Sequence, residues 1–129
     1  MAQTINIMVV EDDHALNEAY QMILGSAHHT VSSAENGQEA LDLIKESGDP
    51  DLIFLDLRMP IMNGIEFLRA YQPQRHPKTT VVVFSNYDAD NEVEEAYSLG
   101  ADRYILKARA TPKELLSIVD GIVRAKGLI

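Results

Sequence analysis

The chain has 129 residues, enough for one fold with its own core, and its 46% hydrophobic and 24% charged content is that of an ordinary globular protein. It has no cysteine, hence no disulfide or thiolate metal site, and its net charge of −9 argues against direct nucleic-acid binding, which calls for clustered Lys and Arg. With no basic leader before an apolar stretch, and no apolar run near the roughly 18 residues of a membrane span, a cytoplasmic protein without membrane association is expected.

The first strand is predicted over residues 5–10, Ile-Asn-Ile-Met-Val-Val, and runs into the acidic triplet Glu11-Asp12-Asp13. Leu16, Ala19, Tyr20, Ile23 and Leu24 then follow the stripe of an amphipathic helix, with Gly25 to end it. His28-His29 read as the entrance to a weak second strand over residues 30–33, suited to a sheet edge. The second helix opens on Asn36 as cap with Glu39 three residues on, and continues through Ala40, Leu41 and Ile44. The third strand, residues 52–55, is wholly apolar and is closed by Asp56. A third helix is predicted over residues 63–71, stopped by Pro73, and an irregular connection over 73–79 leads to the fourth strand, 81–84, followed by Ser85. Val93, Ala96 and Tyr97 mark a fourth helix closed by Gly100, and the fifth strand, 103–106, delivers Lys107. Thr111-Pro112-Lys113-Glu114 predicts a capping box for the last helix, whose stripe is Leu115, Ile118, Val119 and Ile122.

Strict alternation of strands and helices, with three strands nearly continuous in apolar or β-branched residues, predicts an α/β fold: a five-stranded parallel sheet, doubly wound as (βα)5. No linker, repeat or low-complexity segment interrupts it, so residues 1–129 are read as a single domain with no output domain visible. In such sheets ligands bind at the carboxyl ends of the strands. There the sequence places Asp12 and Asp13 after the first strand, Asp56 after the third, Ser85 after the fourth and Lys107 after the fifth. Each alone is an ordinary surface or cap residue; together they suit phosphoryl transfer. Carboxylates hold a hard cation, Mg²⁺ or Mn²⁺, Asp56 is the nucleophile, and Lys107 and Ser85 hold the remaining phosphoryl oxygens.

The chain at this point resembles the receiver domain of two-component response regulators over about residues 4–125. The resemblance is carried by Val9-Val10-Glu11-Asp12-Asp13, by Leu55-Asp56-Leu57-Arg58-Met59-Pro60-Ile61-Met62-Asn63-Gly64, by Ser85, by Gly100-Ala101-Asp102 and by Tyr104-Ile105-Leu106-Lys107. It implies a flavodoxin-like receiver topology and a phosphorylation-activated switch rather than an enzyme in the usual sense. Asp56 would accept a phosphoryl group from a sensor histidine kinase or a histidine phosphotransfer protein, with Asp12, Asp13, Asp56 and the Arg58 backbone carbonyl around the metal. Ser85 and Tyr104 would pass the change to the surface of the fourth helix, fifth strand and fifth helix. A downstream output domain or target protein would read that surface, and exposed apolar positions on the fourth helix suit a homodimer formed on phosphorylation.

The chain departs from the family pattern at three places. Ala108 stands where the family has proline after a cis bond, and a cis Lys107–Ala108 bond is expected because Lys107 must point at the same site. Asn63 replaces an aspartate and reads as a neutral change in a turn. Arg58 and Tyr87, with His14 bordering the pocket, are read as tuning dephosphorylation, a long cation beside a ring giving slow loss of the phosphoryl group. Two other readings stay open. A phosphorylation-independent interaction module would keep the fold alone. An aspartate-nucleophile phosphatase would require a general acid where Arg58 stands.

Overall fold

In a computed structural model, residues 4–86 and 90–127 are described. The elements alternate as predicted: β1 Asn6–Val10, α1 His14–Ser26, β2 Thr30–Ala34, α2 Gly37–Ser47, β3 Leu52–Asp56, α3 Gly64–Tyr71, β4 Thr80–Ser85, α4 Asp90–Ser98, β5 Arg103–Leu106 and α5 Pro112–Ala125. Two short 3-10 turns, Pro73–Arg75 and Lys107–Arg109, fill the connections after α3 and β5.

All strand pairs are parallel, in the order β2-β1-β3-β4-β5, so the weakly apolar β2 lies at an edge and the fully buried β3 at the centre. Alternate side chains of each strand feed opposite faces. On one face Met8, Val10, Ile53, Leu55, Val81 and Val83 pack with Phe67, Leu68 and Tyr71 of α3 and Ala40 of α2. On the other, Ile7, Val9, Leu52, Phe54, Val82 and Phe84 meet Tyr20 and Leu24 of α1 and Leu115, Val119 and Ile122 of α5. A stack of Tyr20 on Phe84 (5.0 Å between centroids) and Phe84 on Phe54 (5.5 Å) runs through this second layer.

Helix starts follow their caps. Asn36 accepts from the Glu39 N–H and Thr111 from the Glu114 N–H. Gly25 does not end α1; the helix runs on to Ser26 and its chain turns at Ala27, because a helical glycine costs only about 1 kcal/mol and nothing crowds it. Asn63, read from sequence as a neutral turn residue, forms a full capping box: its side chain accepts from Glu66 N (2.9 Å) while Glu66 accepts from Asn63 N (3.0 Å). Asn63→Ala is therefore expected to destabilise the fold by about 1 kcal/mol in urea unfolding, whereas Asn63→Asp changes it by a few tenths.

Candidate functional site

The strand order reverses between β1 and its two neighbours, β2 and β3, and this topological switch opens a crevice at their carboxyl ends. The loop after β3 is pinned under it. Gly64 N donates to Leu57 O (3.1 Å), and a Cβ on Gly64 would lie 2.5 Å from the Asp56 carbonyl oxygen, so only glycine fits this close approach. Ile61, in the same loop, takes a left-handed backbone (φ 67°) unusual for a β-branched residue and leaves its side chain exposed.

Asp56 ends β3 with 2% of its surface exposed. Its Oδ1 accepts from the Arg58 N–H (3.3 Å) and its Oδ2 from Lys107 Nζ (2.9 Å). Lys107 donates equally to Glu11 Oε1 (3.0 Å), and Glu11 Oε2 accepts from Asp12 N (3.1 Å). Glu11 continues the β1 ladder, its N–H donating to Ala34 O (3.0 Å), and is fully buried. The Asn17 amide donates to both Glu11 O and Ala34 O, which fixes the two strand ends from α1.

One carboxylate oxygen each from Glu11, Asp12 and Asp56 lies within 4.8 Å of the others. Lys107 meets two of these acids, Glu11 and Asp56. Burial, then the hydrogen bond and charge of Asp56, push the Glu11 carboxyl up to about 8, against the partial relief of Lys107. Burial alone would lower the Lys107 ammonium, but the hydrogen bonds and charges of Asp56 and Glu11 outweigh it and hold its pKa above the ordinary value. Three close oxygen donors with surplus negative charge suit a small hard cation such as Mg²⁺ or Mn²⁺.

Asp13 lies outside this group. It is the N-cap of α1 and accepts from Leu16 N (3.1 Å) with its side chain exposed. Glu11 was the residue missed from sequence, although Asp13 stands three residues before Leu16, the spacing of a helix cap. Ser85 ends β4 with 3% of its surface exposed, and its Oγ has no hydrogen-bond partner among the described residues. Lys107 reaches the site without the expected cis bond: no described peptide bond is cis, Lys107–Ala108 included. Lacking proline, a cis bond there would cost roughly 3–4 kcal/mol. The 3-10 turn Lys107–Arg109 redirects the chain instead, and the long lysine stem covers the remaining distance.

Tyr104 is half exposed on β5 and meets Tyr97 of α4 edge-on, 6.2 Å between centroids. His14 is exposed at the start of α1 and pairs with Glu35 (3.3 Å). The Arg58 guanidinium crosses to Glu92 of α4 (3.2 Å). Tyr87 lies outside the described residues.

A family model for the response regulator receiver domain matches residues 7–120. The chain is 37% identical over 112 residues to the nitrate/nitrite response regulator protein NarL of Escherichia coli K12, covering 85% of this chain and 50% of NarL. It is 33% identical over 120 residues to the response regulator MprA of Mycolicibacterium vanbaalenii, covering 93% of this chain and 51% of MprA. The chain thus spans about half the length of these relatives. Among solved structures, the Vibrio cholerae chemotaxis protein CheY4 superposes with a TM-score of 0.82 at 25% identity, over 93% of this chain and 99% of CheY4. Brucella abortus NtrX superposes with a TM-score of 0.86 at 23% identity, over 98% of this chain and 28% of NtrX.

Proposed function

Because this chain belongs to the response regulator receiver domain family, we propose that it is a phosphorylation-dependent signalling switch with Asp56 as its phosphoacceptor. The donor is a phosphohistidine on a sensor histidine kinase or a histidine phosphotransfer protein. The observation that carries this reading is the buried Asp56 carboxylate held by Lys107 beside a second buried acid, Glu11. A structural role alone gives no reason to bury two carboxylates on one lysine, since their desolvation is costly.

In the transfer, a carboxylate oxygen of Asp56 forms the new bond to phosphorus while the bond from phosphorus to the histidine nitrogen breaks, and that nitrogen keeps the electron pair. Glu11, Asp12 and Asp56 offer the donor set for Mg²⁺ or Mn²⁺, with the Arg58 backbone carbonyl as a further ligand, and Asp13 serves α1 as its cap. A cation held by these residues would supply neutralisation of the negative charge shared by the carboxylates and the incoming phosphoryl group. Lys107 is within reach of a phosphoryl oxygen through the same ammonium that now holds Asp56.

The Ser85 hydroxyl, buried and without a partner among the described residues, supports a switching role, because a phosphoryl oxygen gives such a donor an acceptor. Movement of Ser85 toward that oxygen leaves room behind it for Tyr104, whose outward ring now rests on Tyr97. Exchange of Tyr104 between these positions alters the surface formed by α4, β5 and α5, and phosphorylation biases the two arrangements through these contacts. An output domain or target protein in a cytoplasmic setting, or a second copy of the chain, reads that surface. The net charge of −9 leaves nucleic-acid binding to such a partner. Among the described residues no helix is long and apolar enough to cross a membrane.

The chain incubated with phosphoramidate or acetyl phosphate and Mg²⁺ is expected to take up one phosphoryl group, and Asp56→Asn none. Equal uptake by both proteins would contradict the assignment of Asp56. No uptake by either would favour a phosphorylation-independent interaction module.

A further inference from the structure

We infer that Glu92 is a positioning residue for the phosphoryl site: it holds the Arg58 guanidinium on α4 in competition with the phosphoryl group, and so sets how long the acyl phosphate lasts. This role presupposes the phosphoacceptor reading of Asp56 and adds to it a residue outside the crevice.

Arg58 stands two positions after Asp56, and its backbone N–H already donates to Asp56 Oδ1 (3.3 Å). Its side chain is therefore rooted at the rim of the crevice. The guanidinium nonetheless turns away and meets Glu92 in the first turn of α4, through a single contact, Nη2 to Oε1 (3.2 Å). Both side chains are substantially exposed, at 54% and 36%, so water screens the pair and it holds weakly. An arginine fork binds best when two of its N–H groups face two oxygens, which Glu92 does not provide here.

Phosphorylation changes the balance. A phosphoryl group brings about −1.5 to −2 charges and three acceptor oxygens, close to the root of the Arg58 side chain. The guanidinium then has a stronger partner than Glu92, and its population shifts from α4 toward the crevice. Hydrolysis requires a water oxygen to bond to phosphorus as the bond from phosphorus to Asp56 breaks. The carboxylate takes back the electron pair, and the water proton leaves with inorganic phosphate or solvent. A guanidinium drawn over the phosphoryl group obstructs the approach of that water, and one drawn back to Glu92 clears it.

The same exchange reaches α4. Among its described side chains only Ala96 is fully buried, and two arginine–glutamate pairs tie the helix to the β3–α3 segment: Arg58–Glu92 and Arg69–Glu95. Departure of Arg58 releases the first turn and leaves the second pair in place. Arg69 lies on α3, so the second pair provides a control that shares the helix but not the crevice.

The test is the decay rate of the Asp56 acyl phosphate, after removal of the donor, in the wild-type chain, Glu92→Gln, Arg58→Ala, the double variant and Glu95→Gln. Glu92→Gln is expected to slow decay by about two- to fivefold, the range of one exposed ion pair. In the Arg58→Ala background the same substitution is expected to change nothing, and Glu95→Gln to decay like wild type. Unchanged or faster decay in Glu92→Gln, an equal effect in both backgrounds, or the same slowing from Glu95→Gln would overturn the inference. If wild type takes no label that Asp56→Asn abolishes, the phosphoacceptor reading fails first, and the two failures are distinguishable.

Discussion

In the absence of divalent cation, the free energy of unfolding is expected to fall as pH rises from about 5 to 8, with Glu11→Gln removing most of that fall. The unfolded chain releases the Glu11 proton near the ordinary value of 4.5, whereas the folded protein holds it until about 8. Between these values unfolding releases a proton, so each step up in pH favours the unfolded chain. Below the window both states are protonated and the contribution is fully present; above it both are ionised and the contribution is gone. At about 1.4 kcal/mol per unit the loss amounts to about 3–5 kcal/mol. His29 acts on the acid side. Burial lowers its pKa, and its neutral Nδ1 accepts from Ile5 N (3.1 Å), so its contribution is present above the ordinary value of 6.5 and lost as pH falls through the lowered one. The difference between wild type and Glu11→Gln, measured by urea unfolding in chelator across this range, cancels His29 and isolates Glu11. Parallel curves for the two proteins would refute the buried-acid account.

Lys107→Ala is expected to damage stability and chemistry together. Removal of one partner from a buried ion pair costs about 3–5 kcal/mol, and here Asp56 and Glu11 lose the ammonium they share. Glu11 already holds its proton near neutral pH, so Asp56 is the carboxylate left without its cation, and a loss of about 2–3 kcal/mol is expected there in chelator. The phosphoryl group loses one charge-assisted hydrogen bond, worth about 1.5–3 kcal/mol, and labelling by phosphoramidate slows by roughly tenfold to a hundredfold. Urea unfolding and labelling kinetics on one preparation give both quantities. Unimpaired labelling would remove Lys107 from the phosphoryl site, while unimpaired stability would mean that the acids do not depend on it.

The alternation of strands and helices was legible because most of the strands are nearly continuous apolar or β-branched runs and each helix carries a periodic stripe. Even the weak β2 pattern located the edge of the sheet. The sequence also located the rim, since Asp56, Ser85 and Lys107 follow directly from where β3, β4 and β5 end. Two details turned on geometry finer than a pattern. The acidic triplet offers three consecutive carboxylates, and only the course of the chain after Val10 decides among them: Glu11 stays in the ladder and points inward, whereas Asp13 has already begun α1. The Lys107–Ala108 bond is trans because a flexible lysine and a 3-10 turn reach Asp56 without it. The Arg58–Glu92 contact joins residues 34 positions apart, a pairing that no periodicity announces.

The most direct measurement of the central claim is borohydride reduction of the phosphoramidate-labelled chain, followed by peptide mass spectrometry. An acyl phosphate is reduced to an alcohol, so the account predicts homoserine at position 56, only after labelling and only with Mg²⁺ or Mn²⁺ present. Reduction at another aspartate or glutamate, or a label that survives borohydride as a phosphohistidine or phosphoserine, would contradict it.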